Sequence, residues 1–103
     1  MSNEWTGGKV KTRKWDPVRF LKSEEDIVAY LEAALEDGEP KLVAAALGDI
    51  ARARGMTKLS RATGLGRESL YKALSADGNP EFSTILKVIA ALGLRLHASP
   101  VKL

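Results

Sequence analysis

Cysteine is absent from these 103 residues. That excludes a disulfide framework and a thiolate zinc site, and it suits a reducing compartment, so a cytoplasmic location is expected. Histidine occurs once, at His97, so no His-based metal cluster can be built. A Ser-His-Asp triad would have to use that one residue, with no GxSxG elbow to hold its nucleophile. The longest apolar run is Leu42 to Leu47, far short of the ~20 residues that span a bilayer. No apolar h-region follows the basic N-terminus, so no signal peptide is expected. The chain is therefore expected to be neither an enzyme nor a membrane protein, and to need no cofactor or metal.

The net charge of +3 conceals a strong pattern. Residues 1–22 carry six Lys or Arg against Glu4 and Asp16, a net of +4. Residues 23–50 carry eight acids against Lys41, a net of −7, and residues 51–103 carry nine bases against three acids, a net of +6. An acidic segment between two basic ones is a cue for different partners on different faces. Solvated helix faces would leave the same trace.

Residues 1–15 lack a helical period and contain Gly7-Gly8. They are expected to form a flexible basic arm, with a short edge strand near Lys9–Arg13; Trp15 is expected to pack on the domain and Trp5 to await a partner. The domain proper is expected to span 16–103. Asp16-Pro17 and "VRFL" form a helical lead-in. Ser23 before Glu24, Glu25 and Asp26 is an N-cap with acids in the first turn, so helix 1 spans roughly 23–37, with Ile27, Leu31, Ala34 and Leu35 inward and Gly38 after it. Pro40 opens helix 2, which buries Leu42, Val43, Ala46, Leu47, Ile50 and Ala53 and stops at Gly55. Thr57 caps a short helix to Thr63 that turns Leu59 and Ala62 inward. Another short helix runs from Arg67 to about Ser75 on Leu70 and Leu74. After the turn at Asp77-Gly78-Asn79-Pro80, a fifth helix spans about Phe82–Leu92 on Ile85, Leu86, Ile89 and Leu92. Leu94, Leu96 and Ala98 then alternate with Arg95, His97 and Ser99 as a short strand.

Gly64-Leu65-Gly66 admits two readings. A dinucleotide fingerprint needs a third glycine where Ser69 stands, and a strand before it where a helix is expected. A P-loop would need Gly-Lys-Ser/Thr. The corner of a helix-turn-helix needs a left-handed residue at the end of its first helix, which Gly64 supplies, and an apolar plug, which Leu65 supplies. The corner fits.

"MTKLSRATGLGRESLYKALS", residues 56–75, resembles the helix-turn-helix of the phage-repressor-like, or Xre, family. "DP…FL", "YLEAAL", "AALGDIARARGM", "SLYKALS" and "GNPEFSTILKVIAALGL" are similar to HigA-like addiction-module antidotes of that fold. The likeness covers about Asp16 to Leu96. It implies an all-α, five-helix DNA-binding domain, here with a short terminal strand. It also implies a homodimer and a RelE/ParE-like toxin as partner. Many members of the family carry Gln where Met56 or Thr57 stands, so Thr57 or Lys58 would hold the phosphate here.

A recognition helix enters the major groove with its N-terminal residues first. With Leu70 and Leu74 inward, Glu68, Lys72 and Ser75 lie opposite, Tyr71 lies at the flank, and Gly66, Arg67 and Ser69 lie at the tip. Arg67 can pair with guanine and Glu68 can accept from cytosine N4. Lys72 and Tyr71 suit either a base or a phosphate. Thr57, Lys58 and Arg61 suit the DNA backbone; Arg52 and Arg54 suit a phosphate as well, and equally complement the dipole at their helix end. The expected function is a DNA-binding repressor and antitoxin. Its operator would be double-stranded DNA, and a small basic toxin would meet the acidic helices or the arm. Leu94, Leu96, Ala98 and the last helix are the expected dimer contact. The alternative is an interaction module that kept this fold and lost DNA binding.

Overall fold

The Ser23 hydroxyl accepts from the Asp26 N–H, and the Asp26 carboxylate accepts from the Ser23 N–H, at 3.1 and 3.0 Å. This reciprocal capping box satisfies two amides that the first turn leaves without helical partners. The same carboxylate accepts from the Lys22 N–H at 3.1 Å. The two backbone donors at Ser23 and Lys22 hold the Asp26 carboxyl below the usual carboxylate range. The computed structural model describes residues 16–101. The expected arm, its edge strand and both tryptophans lie outside the described residues.

From the capping box, helix α1 runs over Glu24–Asp37 and ends at Gly38, in the left-handed conformation. Helix α2 spans Pro40–Arg54 and returns along α1. Short helices α3, Met56–Thr63, and α4, Arg67–Ala73, follow, and α5 covers Phe82–Ala91. Before α1, Pro17–Phe20 form a single 3-10 turn capped by the Asp16 carboxylate. The chain is all-helical over its described residues.

Leu47, Ile50, Leu70 and Val88 are completely buried, one or more from each of α2, α4 and α5. Ile27 and Leu31 of α1 and Met56 and Leu59 of α3 join them in one cluster. Burying each such aliphatic side chain contributes about 1.5–3 kcal/mol. That matters most for α3 and α4, which are too short to persist alone in water. Gly48 sets the distance between α2 and α4. A Cβ there would fall on the Leu74 carbonyl oxygen.

Several expectations are corrected. No strand forms at Leu94–Ala98: the segment pairs with no other strand among the described residues, and a strand exists only as part of a ladder. Thr57 is not the cap of α3. The helix begins at Met56 with Gly55 before it and no side-chain cap. Leu35, Leu42 and Leu86 are 42–45% exposed rather than core, and Ala62 is exposed. Each lies on the apolar side of its helix but is left largely uncovered by the described residues. Helix α4 stops at Ala73, because Leu74 leaves helical geometry at ψ 55°.

Candidate nucleic-acid interface

Two hydroxyls that local sequence patterns do not single out fasten the corner between α3 and α4. The Thr63 hydroxyl donates to the Leu59 carbonyl at 2.9 Å and accepts from the Leu65 N–H at 3.2 Å. The Ser60 hydroxyl donates to the Leu65 carbonyl. Gly64, at φ 77°, makes the left-handed step and donates its N–H to the Ser60 carbonyl at 2.9 Å. Leu65 is consequently held from both sides and packs half-buried against the core. Hydroxyl bonds to a carbonyl four residues back are common in helices. Here their role follows only from the turn that comes next.

Beyond the corner, Gly66 opens α4 without a side-chain cap, and Leu70 closes the first turn on the Gly66 carbonyl at 2.9 Å. With Leu70 fully buried, the opposite face is turned to solvent. Gly66, Arg67, Glu68, Ser69 and Lys72 are all exposed, and Tyr71 is 45% exposed. On α3, Thr57, Lys58 and Arg61 are exposed as well. Nine of the ten residues singled out from the sequence thus share an accessible surface around the corner. Ser75 departs from them. It lies beyond the end of α4, half-buried, with its hydroxyl donated to the Lys72 carbonyl at 3.0 Å.

Among the described residues the cations of this surface form no ion pair. The ion pairs among the described residues are those of Arg52 with Asp49 and Asp16, at 2.8 and 3.8 Å. Lys58, Arg61, Arg67 and Lys72 take part in neither. Arg52 itself is tied into a polar chain, since Asp49 also accepts from the Tyr30 hydroxyl at 2.6 Å. That chain links α1, α2 and the residue before the 3-10 turn. A dipole complement alone does not describe Arg52, because two carboxylates hold it. No helix among the described residues is long and apolar enough to cross a membrane.

The arrangement can offer a planar guanidinium, a carboxylate and an ammonium to an outside partner from one short rigid helix, with three further polar side chains alongside. The acids lie apart from it. Glu24, Glu25, Glu32, Glu36, Asp37 and Glu39 are exposed on α1 and the turn after it.

Comparison with known proteins bears on this surface through the whole chain. No solved structure matches it. A protein of Haemophilus influenzae, described as uncharacterized, is 48% identical over 85 residues, which cover 82% of this chain and 88% of the relative. The family model of a probable addiction module antidote protein matches residues 11–100, nearly the entire described structure. The chain belongs to the family of probable addiction module antidote proteins.

Proposed function

We propose that this antidote is a sequence-specific DNA-binding repressor that also neutralises its toxin, with α3 and α4 acting as an Xre-type, HigA-like helix-turn-helix. The observation that carries the reading is the two-sidedness of α4: Leu70 is entirely buried while Arg67, Glu68, Ser69, Tyr71 and Lys72 face outward beside a corner fixed by Gly64. A helix anchored through one apolar residue and displaying its first turn is suited to major-groove entry. Arg67 makes a bidentate contact to guanine and Glu68 accepts from cytosine N4, while Tyr71 and Lys72 reach base or phosphate. Thr57, Lys58 and Arg61 hold the sugar–phosphate backbone and set the register. Two copies bind one operator, because one short helix covers too little surface for tight specific binding.

The toxin half rests on the family, whose description as an antidote implies a toxin to be neutralised. A RelE/ParE-like toxin of basic charge is drawn to the acidic face of α1, and complementary charge speeds its capture. The protein works by binding in the cytoplasm and performs no catalysis.

The test is fluorescence anisotropy of the full chain on a duplex taken from upstream of its own reading frame, against a scrambled duplex of equal length. A preference of roughly 10³ or more for the native duplex is expected, with affinity falling steeply as salt rises. Equal, salt-insensitive affinity for both duplexes would turn the assignment toward a module that binds protein alone. Rescue of growth on co-expression with the small protein encoded next to it tests the toxin half separately.

A further inference from the structure

The residues after α5 lack a backbone partner among the described residues. The Leu94 N–H donates to the Ile89 carbonyl at 3.0 Å, and from Arg95 to Val101 no backbone group bonds to another described backbone group. Leu94 and Leu96 pack half-buried against the core, while Arg95 and His97 are exposed. Packing thus fixes a strand-like alternation of side chains with no described strand beside it. A further strand can complete such an edge.

A groove of about 410 Å³ lies between this segment and α1, with Val28, Leu31 and Leu35 on one wall and Leu94, Leu96 and Val101 on the other. Leu35 and Val101 are 42% and 75% exposed. Glu32 and Glu36 rim the α1 wall, while Arg95 and His97 rim the other. The permanent charges of the rim are therefore two acids and one arginine, a balance that favours a basic occupant.

We infer that Lys9–Arg13 of the same chain occupy this groove as the strand that completes the edge. Lys9, Lys11 and Arg13 alternate with Val10 and Thr12, the period of a strand with one charged face. In that pairing Val10 and Thr12 meet the apolar walls, and the cations lie at the rim beside Glu32 and Glu36. The connection of the chain favours this occupant over a separate molecule. Asp16 pairs with Arg52 at 3.8 Å, and Asp49 joins Arg52 to the Tyr30 hydroxyl on α1. The residues before Asp16 therefore depart from beside α1. Lys9 stands seven positions before Asp16, and seven residues span up to ~25 Å. A segment tethered so closely has an effective concentration of roughly millimolar, which a free partner does not match. The pairing also accounts for the order of charges along the chain, because the basic segment 1–22 meets acids of the segment that follows it. It needs neither DNA nor toxin, so it stands or falls apart from the proposed function.

Amide hydrogen exchange of the full chain, without DNA or toxin, tests the inference. Alternate amides between Arg95 and Ser99 should be protected about tenfold or more, and equally at about 1 and 100 micromolar, because the partner strand is tethered. Val10→Asp should abolish that protection with helical content unchanged by circular dichroism. Lys9→Glu with Lys11→Glu should weaken it, and adding Glu32→Lys and Glu36→Lys to that pair should restore it. Protection that appears only at the higher concentration overturns the inference, since a second copy would then fill the edge. Absence of protection at both concentrations overturns it as well and leaves the groove to a separate partner. So does protection that survives both Val10→Asp and the charge reversal at Lys9 and Lys11.

Discussion

Helices α1 and α2 are 14 and 15 residues long, whereas α3 and α4 have 8 and 7. The first pair is specified largely by nearby residues. A capping box starts α1, a left-handed glycine ends it, and a proline opens α2. The second pair has no side-chain cap at either start. Such short helices persist only because Met56, Leu59, Leu70 and Leu74 are buried against the rest of the molecule. The difference separates two tasks. A helix held from behind by a single buried leucine needs nothing from its outer face, and that face is free to carry recognition chemistry. The long helices supply the platform.

Removing the anchor should therefore have the largest effect. Leu70→Ala leaves a cavity where a fully buried side chain stood and is expected to cost about 2–5 kcal/mol. Denaturant unfolding followed by circular dichroism measures it. If the platform and the short pair were equally self-sufficient, the loss would be no larger than for Leu35→Ala, at a half-exposed position on α1.

Gly48→Ala comes next. Its new Cβ would meet the Leu74 carbonyl oxygen, so α4 has to move away from α2, and overpacking of this kind costs about 1–3 kcal/mol. Gly66→Ala is the control. A Cβ there meets nothing within 4 Å and φ is −67°, so stability should stay within ~0.5 kcal/mol. Comparable losses for both glycines would mean that α4 is not seated on Gly48.

On the outer face the proposed reader is expected to lose binding without losing stability. Arg67→Ala should weaken operator binding by about 1–3 kcal/mol and relax preference at one base pair of each half-site. Lys58→Ala should weaken binding to every duplex and flatten its salt dependence. Equal losses on specific and random duplexes for both variants would contradict these roles.

What was legible in the sequence follows the same division. Ser23, Gly38 and Pro40 are signals read within a turn of the residues they govern, and the bounds of α1 and α2 follow from them. The corner was legible too, because Gly64 and the leucines around it act over a few positions. The local signals fail wherever a distant partner decides the outcome. Thr57 has the chemistry of a cap, yet the chain enters α3 two residues earlier, through Gly55. Leu94 and Leu96 alternate as a strand does, but a ladder needs a second strand. Leu42 lies on an apolar stripe that no described neighbour fully covers. Gly48 is unremarkable in sequence, and only the approach of Leu74 from 26 positions away explains it. Ser60 and Thr63 likewise gain their roles from the backbone they fasten.

The smallest expected effect concerns the platform's own local signal. Ser23→Ala removes the side-chain acceptor for the Asp26 N–H and should cost about 1 kcal/mol, leaving α4 and its binding face intact. The reciprocal bond carries a pH signature. Because the folded protein holds the Asp26 carboxyl below its ordinary value, chiefly through the backbone N–H groups of Ser23 and Lys22, the charged form is favoured by folding. That contribution is fully present above the ordinary carboxylate value of about 3.9 and is lost as pH falls through the lower folded value. Asp26→Asn should therefore be less stable than the parent at pH 6, and the gap should close as the solution is acidified below pH ~4. Unfolding curves at pH 6, 4 and 3 measure the gap, and amide exchange in the first turn of α1 shows where it acts. A gap that stayed constant with pH would mean that the carboxylate's charge contributes nothing to the cap. A loss of protection extending into α3 and α4 would mean that the platform is not specified locally, and that its stability is shared with the pair it supports.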